Sequence, residues 1–124
     1  MSWREIAWNG ARLSTPAAWE AAKIGPRYLL LADQGEPAME IKWERVKGGF
    51  SHRTALRRLR SRHGNTVQEC PLPDEWKRLL DGFTATGFTW RAETRGGSGA
   101  ILYCPTCGNA TLIQFFRNFS SPGN

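Results

Sequence analysis

Cys104-Pro105-Thr106-Cys107-Gly108 places two thiols in one tight turn between the apolar runs 100–103 and 110–116. Two thiolates at this spacing converge on one point, and the glycine that follows accepts the backbone conformation a metal knuckle needs. A tetrahedral zinc site takes four ligands, so this pentapeptide is half of one. Cys70 is the only other cysteine, and His52 and His63 are the only histidines. A site of three cysteines and one histidine therefore needs Cys104, Cys107 and Cys70 with either His63 or His52. The histidines stand eleven residues apart, about 16 Å along a helix, so they cannot share one ion. His63 is the better ligand, being nearer Cys70 and at a helix end. The half-site is alternatively shared, with two chains each giving Cys104 and Cys107, or the turn is architecture without metal. The cofactor reading is thus none or one zinc ion. Redox chemistry of the thioredoxin kind places the first thiol at a helix N-terminus, whereas 110–116 has the pattern of a strand.

A second constellation is basic. Between Ser51 and His63 lie Arg53, Arg57, Arg58, Arg60 and Arg62 with no acidic residue, in a chain of 17 basic and 11 acidic residues and net charge +6. On a helix Arg53, Arg57 and Arg60 occupy one flank, and Arg58 and Arg62 the other. That spread suits a phosphate backbone, and it also suits a solvated basic face on a core helix. The six tryptophans could stack on bases, but Trp43 alternates with Met39 and Ile41 as core residues do, and Trp19 and Trp76 stand where short helices need anchors.

Catalytic patterns are missing. Gly96-Gly97-Ser98-Gly99 has neither nucleophile-elbow spacing nor the Lys-Ser/Thr of a phosphate loop, and it reads as a flexible hairpin loop. Asp74 and Glu75 favour a helix start, which requires no acid–base role. The histidines read as packed ring surfaces on the apolar face of the arginine-rich helix. The odd cysteine count fits a reducing compartment, and no apolar run reaches membrane-spanning length or resembles a secretory leader. These features indicate a cytoplasmic protein without membrane contact.

The elements that would position these residues follow from local chemistry. Asn9-Gly10 accepts the positive φ angles of a tight hairpin between strands 3–8 and 11–14. Thr15 and Pro16 suit the start of a helix over 17–23, which Gly25-Pro26 ends. Strands 27–33 and 38–46 flank the turn residues 34–37. In the second, Met39, Ile41 and Trp43 alternate with Glu40, Lys42 and Glu44, giving one buried and one wet face. Ser51 caps the arginine-rich helix and Gly64 closes it, with Ala55, Leu56 and Leu59 inward. A short helix follows Pro73, anchored by Trp76, Leu79 and Leu80. Strands 87–94, 100–104 and 109–117 complete the order.

The expected fold is α+β, a single mostly antiparallel sheet with helices packed on it, in one domain over 1–119 and a polar tail over 120–124. Gly10-x-x-Leu13-x-x-Pro16-x-x-Trp19-Glu20, then 28–33 as Tyr-Leu-Leu-Leu-Ala-Asp, then Pro37-x-x-Glu40-Ile41-x-Trp43 resembles the opening of PsbP-like domains. That superfamily contains photosystem PsbP proteins, a small Ran-GTPase-binding factor and many uncharacterised prokaryotic proteins. The resemblance covers the first third by motif and the remainder by order of elements. It implies the PsbP-like sheet and a non-enzymatic accessory or interaction role with a protein partner, and it carries over no catalytic residue. Beside that reading stand two others: a basic nucleic-acid-binding module using helix 51–63, and a zinc-stabilised scaffold or dimer through Cys104 and Cys107.

Overall fold

Seven antiparallel strands in one sheet dominate the molecule. The computed structural model describes residues 3–8, 11–64 and 66–118. In chain order the strands are β1 (Trp3–Trp8), β2 (Ala11–Pro16), β3 (Glu20–Gly25), β4 (Tyr28–Asp33), β5 (Glu36–Arg45), β6 (Gln68–Cys70), β7 (Thr84–Arg91), β8 (Arg95–Tyr103) and β9 (Asn109–Asn118). Helix α1 (His52–His63) lies between β5 and β6, and α2 (Asp74–Leu79) between β6 and β7. β1 and β2 form a separate hairpin, and the large sheet runs β3-β4-β5-β9-β8-β7-β6. This corrects the α+β expectation: among the described residues nine strands stand against one helix of 12 residues and one of 6, so the protein is mostly β.

The hairpins form where turn chemistry permits. Asp33 pairs with Glu36 across Gln34 and Gly35, whose φ angles of 51° and 83° are those of a type I′ turn. Trp8 pairs with Ala11 in the first hairpin; the Asn9-Gly10 turn and the 120–124 tail lie outside the described residues. Two local expectations fail. Segment 17–23 is not a helix, because Glu20–Gly25 is edge strand β3, paired with β4 through a bulge near Ala21 and Lys23. Its alanines have helix propensity, but each alanine contributes only tenths of a kcal/mol, less than strand pairing beside a ready partner supplies. Residues 95–99 are not a loop either. They belong to β8, paired with β7 on one side and β9 on the other. Glycine is needed there because a Cβ at Gly97 would strike the Trp90 indole and one at Gly99 the Ile113 carbonyl of β9.

The sheet buries both faces. On one, Leu56 and Leu59 of α1 pack with Val67, Phe88, Trp90 and Ile101. On the other, Leu29, Leu31, Met39 and Ile41 gather Leu13, Trp19, Ile113 and Phe115 around them, so β2 and the turn after it cover that side. Two-sided cover explains why 29–32 reads as an unbroken apolar run. Helix α1 follows expectation: the Ser51 hydroxyl accepts from the Thr54 N–H, and the Gly64 N–H bonds the Arg60 carbonyl with Gly64 at φ 85°. The anchors expected on α2 are absent, since it buries none of its residues and Leu79 is 81% exposed. No helix among the described residues is long and apolar enough to cross a membrane.

Candidate functional site: a basic cleft under helix α1

Alternation along β5 places Glu40 on the face opposite Met39 and Ile41, the face expected to be wet. Lys42 and Glu44 are indeed exposed there. Glu40 is not: it is 1% exposed, because the C-terminal end of α1 crosses above it. Burying a carboxylate costs several kcal/mol unless it is paired and hydrogen-bonded, and here four donors meet its two oxygens. Arg62 of α1 grips both, Nη1 to Oε1 and Nη2 to Oε2, each at 2.8 Å. The Tyr28 hydroxyl donates to Oε2 at 2.5 Å and the Gln114 amide to Oε1 at 2.8 Å. Gln114, itself fully buried, accepts from the Trp90 indole at 3.1 Å. One polar relay therefore runs across five strands, from β4 through β5, β9 and β8 to β7, passing over the Gly99 and Gly97 positions where β8 offers no side chain.

The electrostatics follow from this packing. Burial alone would raise the Glu40 carboxyl, but the bonds from Arg62, Tyr28 and Gln114 and the Arg62 charge outweigh it and bring the group down to about 2. Burial first, and the bond to Glu40 second, push Tyr28 up to about 12. The carboxylate stays charged and the phenol stays protonated across the neutral range.

Beside this relay lies a cleft of about 480 Å³ between α1 and the β4–β5–β9 half of the sheet. Leu59, Leu112, Ile101 and Ala110 give it an apolar floor, while Arg27, Lys42, Arg58 and Arg62 stand around it. Arg62 is spent on Glu40. Among the described residues, Arg27, Lys42 and Arg58 have no ion pair, and Glu44 is the one carboxylate besides them in the lining. The arrangement offers an open apolar slot with surplus positive charge at its mouth.

The five arginines singled out from the sequence thus divide. Arg58 and Arg62 face the cleft; Arg53 and Arg57 are exposed on the other flank. Arg60 reaches toward the Val67 carbonyl at 3.4 Å, a weak bond that helps close the turn after α1. The histidines are packed rings, as their positions on α1 suggest. His63 stacks on Trp90 with centroids 3.9 Å apart and planes 4° from parallel. Burial first, then the Arg62 charge, lowers its pKa, while Glu40 and Gln114 pull more weakly the other way. His52 lies between the Thr84 and Thr86 hydroxyls at 2.8 and 3.0 Å, and its pKa too is lowered by burial.

The four metal candidates are not brought together. Cys104 and Cys107 share the β8–β9 turn, as expected. Cys70 is opposite Gly87 and Gly87 opposite Ala100, four residues short of Cys104; two strand spacings and four residues amount to roughly 16 Å. His63, on Trp90, is farther still. All three thiols are free, and among the described residues no group of three or more His, Cys, Asp or Glu is placed to hold a metal. A second hollow, of about 560 Å³, lies between α2 and the β6–β7 edge beside Cys70, Leu80 and Phe83.

Sequence reasoning missed Glu40, Tyr28, Gln114 and the cleft. The one available signal was Arg62, a helix-terminal arginine one turn from Arg58 on the flank away from Arg53 and Arg57. The residues that carry the PsbP-like resemblance are placed structurally: Leu13 and Trp19 on the second core, Tyr28 and Glu40 in the relay. No known family's profile matches the chain, and no curated protein is significantly similar to it.

Proposed function

We propose that the protein is a non-catalytic accessory domain of the cytoplasm that holds an anionic ligand with an apolar portion in the cleft under α1. The observation that carries this reading is the set of three unpaired cations, Arg27, Lys42 and Arg58, around an apolar floor. The volume falls within the usual range for small-molecule sites, and a few convergent polar groups over apolar walls are their common form. A cation at the mouth pairs with the ligand's anion, and the floor takes the apolar part out of water. Absence of turnover is supported by the relay, whose carboxylate is saturated by four donors and whose phenol keeps its proton. The PsbP-like resemblance of the first third, to an accessory family, supports the same role.

Calorimetric titration with octyl phosphate tests it, with octanol and inorganic phosphate as the apolar and anionic halves alone. Octyl phosphate binding at least about tenfold tighter than either half, and lost in Lys42→Glu with Arg58→Glu, supports the proposal; each 1.4 kcal/mol of cooperation between the halves is a factor of ten. Equal binding of all three probes, or none, overturns it.

A second reading rests on Arg53 and Arg57, exposed and, among the described residues, without an ion pair, on the flank away from the cleft. Those two arginines would contact a nucleic-acid backbone, with Arg58 near one end. Two to three phosphate contacts give affinity that falls gently with salt. Retention of a labelled single-stranded RNA at low salt, lost in Arg53→Glu with Arg57→Glu but kept in Lys42→Glu, favours it over the cleft.

A further inference from the structure

The turn between β8 and β9 is built to present two sulfurs. The Cys107 N–H donates to Cys104 Sγ at 3.2 Å, the Gly108 N–H to the Cys104 carbonyl at 2.7 Å, and the Cys104 N–H to the Asn109 carbonyl at 2.9 Å. Gly108 adopts φ 78°, the left-handed conformation that lets the chain leave the turn without masking the thiols. The Val46 N–H bonds the Gly108 carbonyl at 2.8 Å, so the tip is also tied to the end of β5. Cys107 is exposed and Cys104 half-buried, so both sulfurs are reachable from outside.

Among the described residues no further His, Cys, Asp or Glu joins these two thiols in a metal-ready group, and both ring nitrogens of the nearest histidine, His52, are taken by the Thr84 and Thr86 hydroxyls. Cys70 is held roughly 16 Å away by strand register, and His63 roughly 20 Å away by its stack on Trp90. A second copy of the same turn has what is missing: two more thiols, already spaced and already backed by amide donors. Charge favours that pairing. Zinc with four thiolates carries two negative charges, and the Arg45 side chain runs beside Gly108, with Lys47 two residues on. A second copy brings a second Arg45 side chain to the same tip.

We propose that two copies of the protein bind one zinc ion between them through Cys104 and Cys107 of each, tip to tip. Four thiols release their protons to solvent, four Zn–S bonds form, and nothing is oxidised or reduced. The cleft lies along α1 and does not take part, so the proposal stands apart from the ligand reading above.

The test uses the full chain, purified under reductant from zinc-supplemented medium, with metal analysis and light-scattering mass on one sample. One zinc per two chains and a dimeric mass are expected, both lost in Cys107→Ser and on chelation, and both kept in Cys70→Ser. A zinc-free monomer, one zinc per monomer, or a dimer that survives Cys107→Ser overturns it. Should Cys107→Ser fail to fold, chelator titration of the unaltered protein decides: mass and zinc must fall together, and mass holding steady as zinc leaves overturns the proposal.

Discussion

The Arg62 guanidinium lies against the Glu40 carboxylate with two parallel bonds of 2.8 Å, one to each oxygen, although the arginine side chain is 41% exposed and the glutamate 1%. The pair is lopsided. Arg62 is supported by solvent and Glu40 by protein, so deleting either partner has a different cost. Arg62→Met leaves Glu40 charged and buried with only Tyr28 and Gln114, and destabilises by about 3 kcal/mol. Glu40→Gln keeps much of the bonding and costs less, about 1–2 kcal/mol. Urea unfolding of both variants and the double variant gives the coupling, and the double variant should be less unstable than the sum of the singles.

Acid unfolding should report Glu40. Its folded value of about 2 lies below the ordinary 4.5, so the stabilisation is complete above pH 4.5 and is lost as pH falls toward 2. The loss is on the order of 3 kcal/mol. His52 and His63 are lowered as well, and their share is lost as pH falls from 6.5 through their folded values. Chemical denaturation from pH 7 to 2.5 should show a two-stage decline. Glu40→Gln removes the lower stage, and His63→Phe, which retains a ring on Trp90, reduces the upper one.

Alternation in β5 gave the correct faces, and it still misassigned Glu40. A period of two says which side a residue points to, but whether that side is wet depends on what crosses it, and the Arg62 end of α1 arrives from 22 positions farther along the chain. The same non-local logic turned 20–25 into a strand: the segment is not intrinsically β, but it runs back beside the buried edge of β4. The arginine-rich helix was legible because its caps, Ser51 and Gly64, and its leucines act within a few turns. The Cys104–Cys107 turn was legible for the same reason, and the places of Cys70 and His63 relative to it were not, because strand register sets them.

Gly97 and Gly99 of β8 should tolerate no side chain. Gly97→Ala pushes a methyl into the Trp90 indole, displacing both the His63 stack and the bond to Gln114. A destabilisation of at least about 2 kcal/mol is expected from overpacking alone. Gly49→Ala, with open space around its Cβ and no positive φ, should stay within about 0.5 kcal/mol. Melting temperatures of the two variants check the contrast.

The arginines of α1 should separate by stability. Arg53→Glu and Arg57→Glu alter only exposed positions that, among the described residues, make no ion pair, and should shift unfolding free energy by no more than about 0.5 kcal/mol. Arg62→Glu should prevent folding near neutral pH, by setting two carboxylates against each other in a buried site. Circular dichroism melts on the three variants distinguish a solvated arginine from a structural one.

Strand order has a further consequence, for the speed at which the chain finds its shape. β3, β4 and β5 form one meander and β7, β8 and β9 another, and the seam between β5 and β9 joins residues that are distant in sequence; the bond from Gln114 to Glu40 spans 74 positions. Each meander can zip from its own turns, while the seam must wait for a large loop containing both helices to close. Until it does, β5 and β9 are two bare apolar edges, and a newly made chain is most exposed to sticking to its neighbours during that interval.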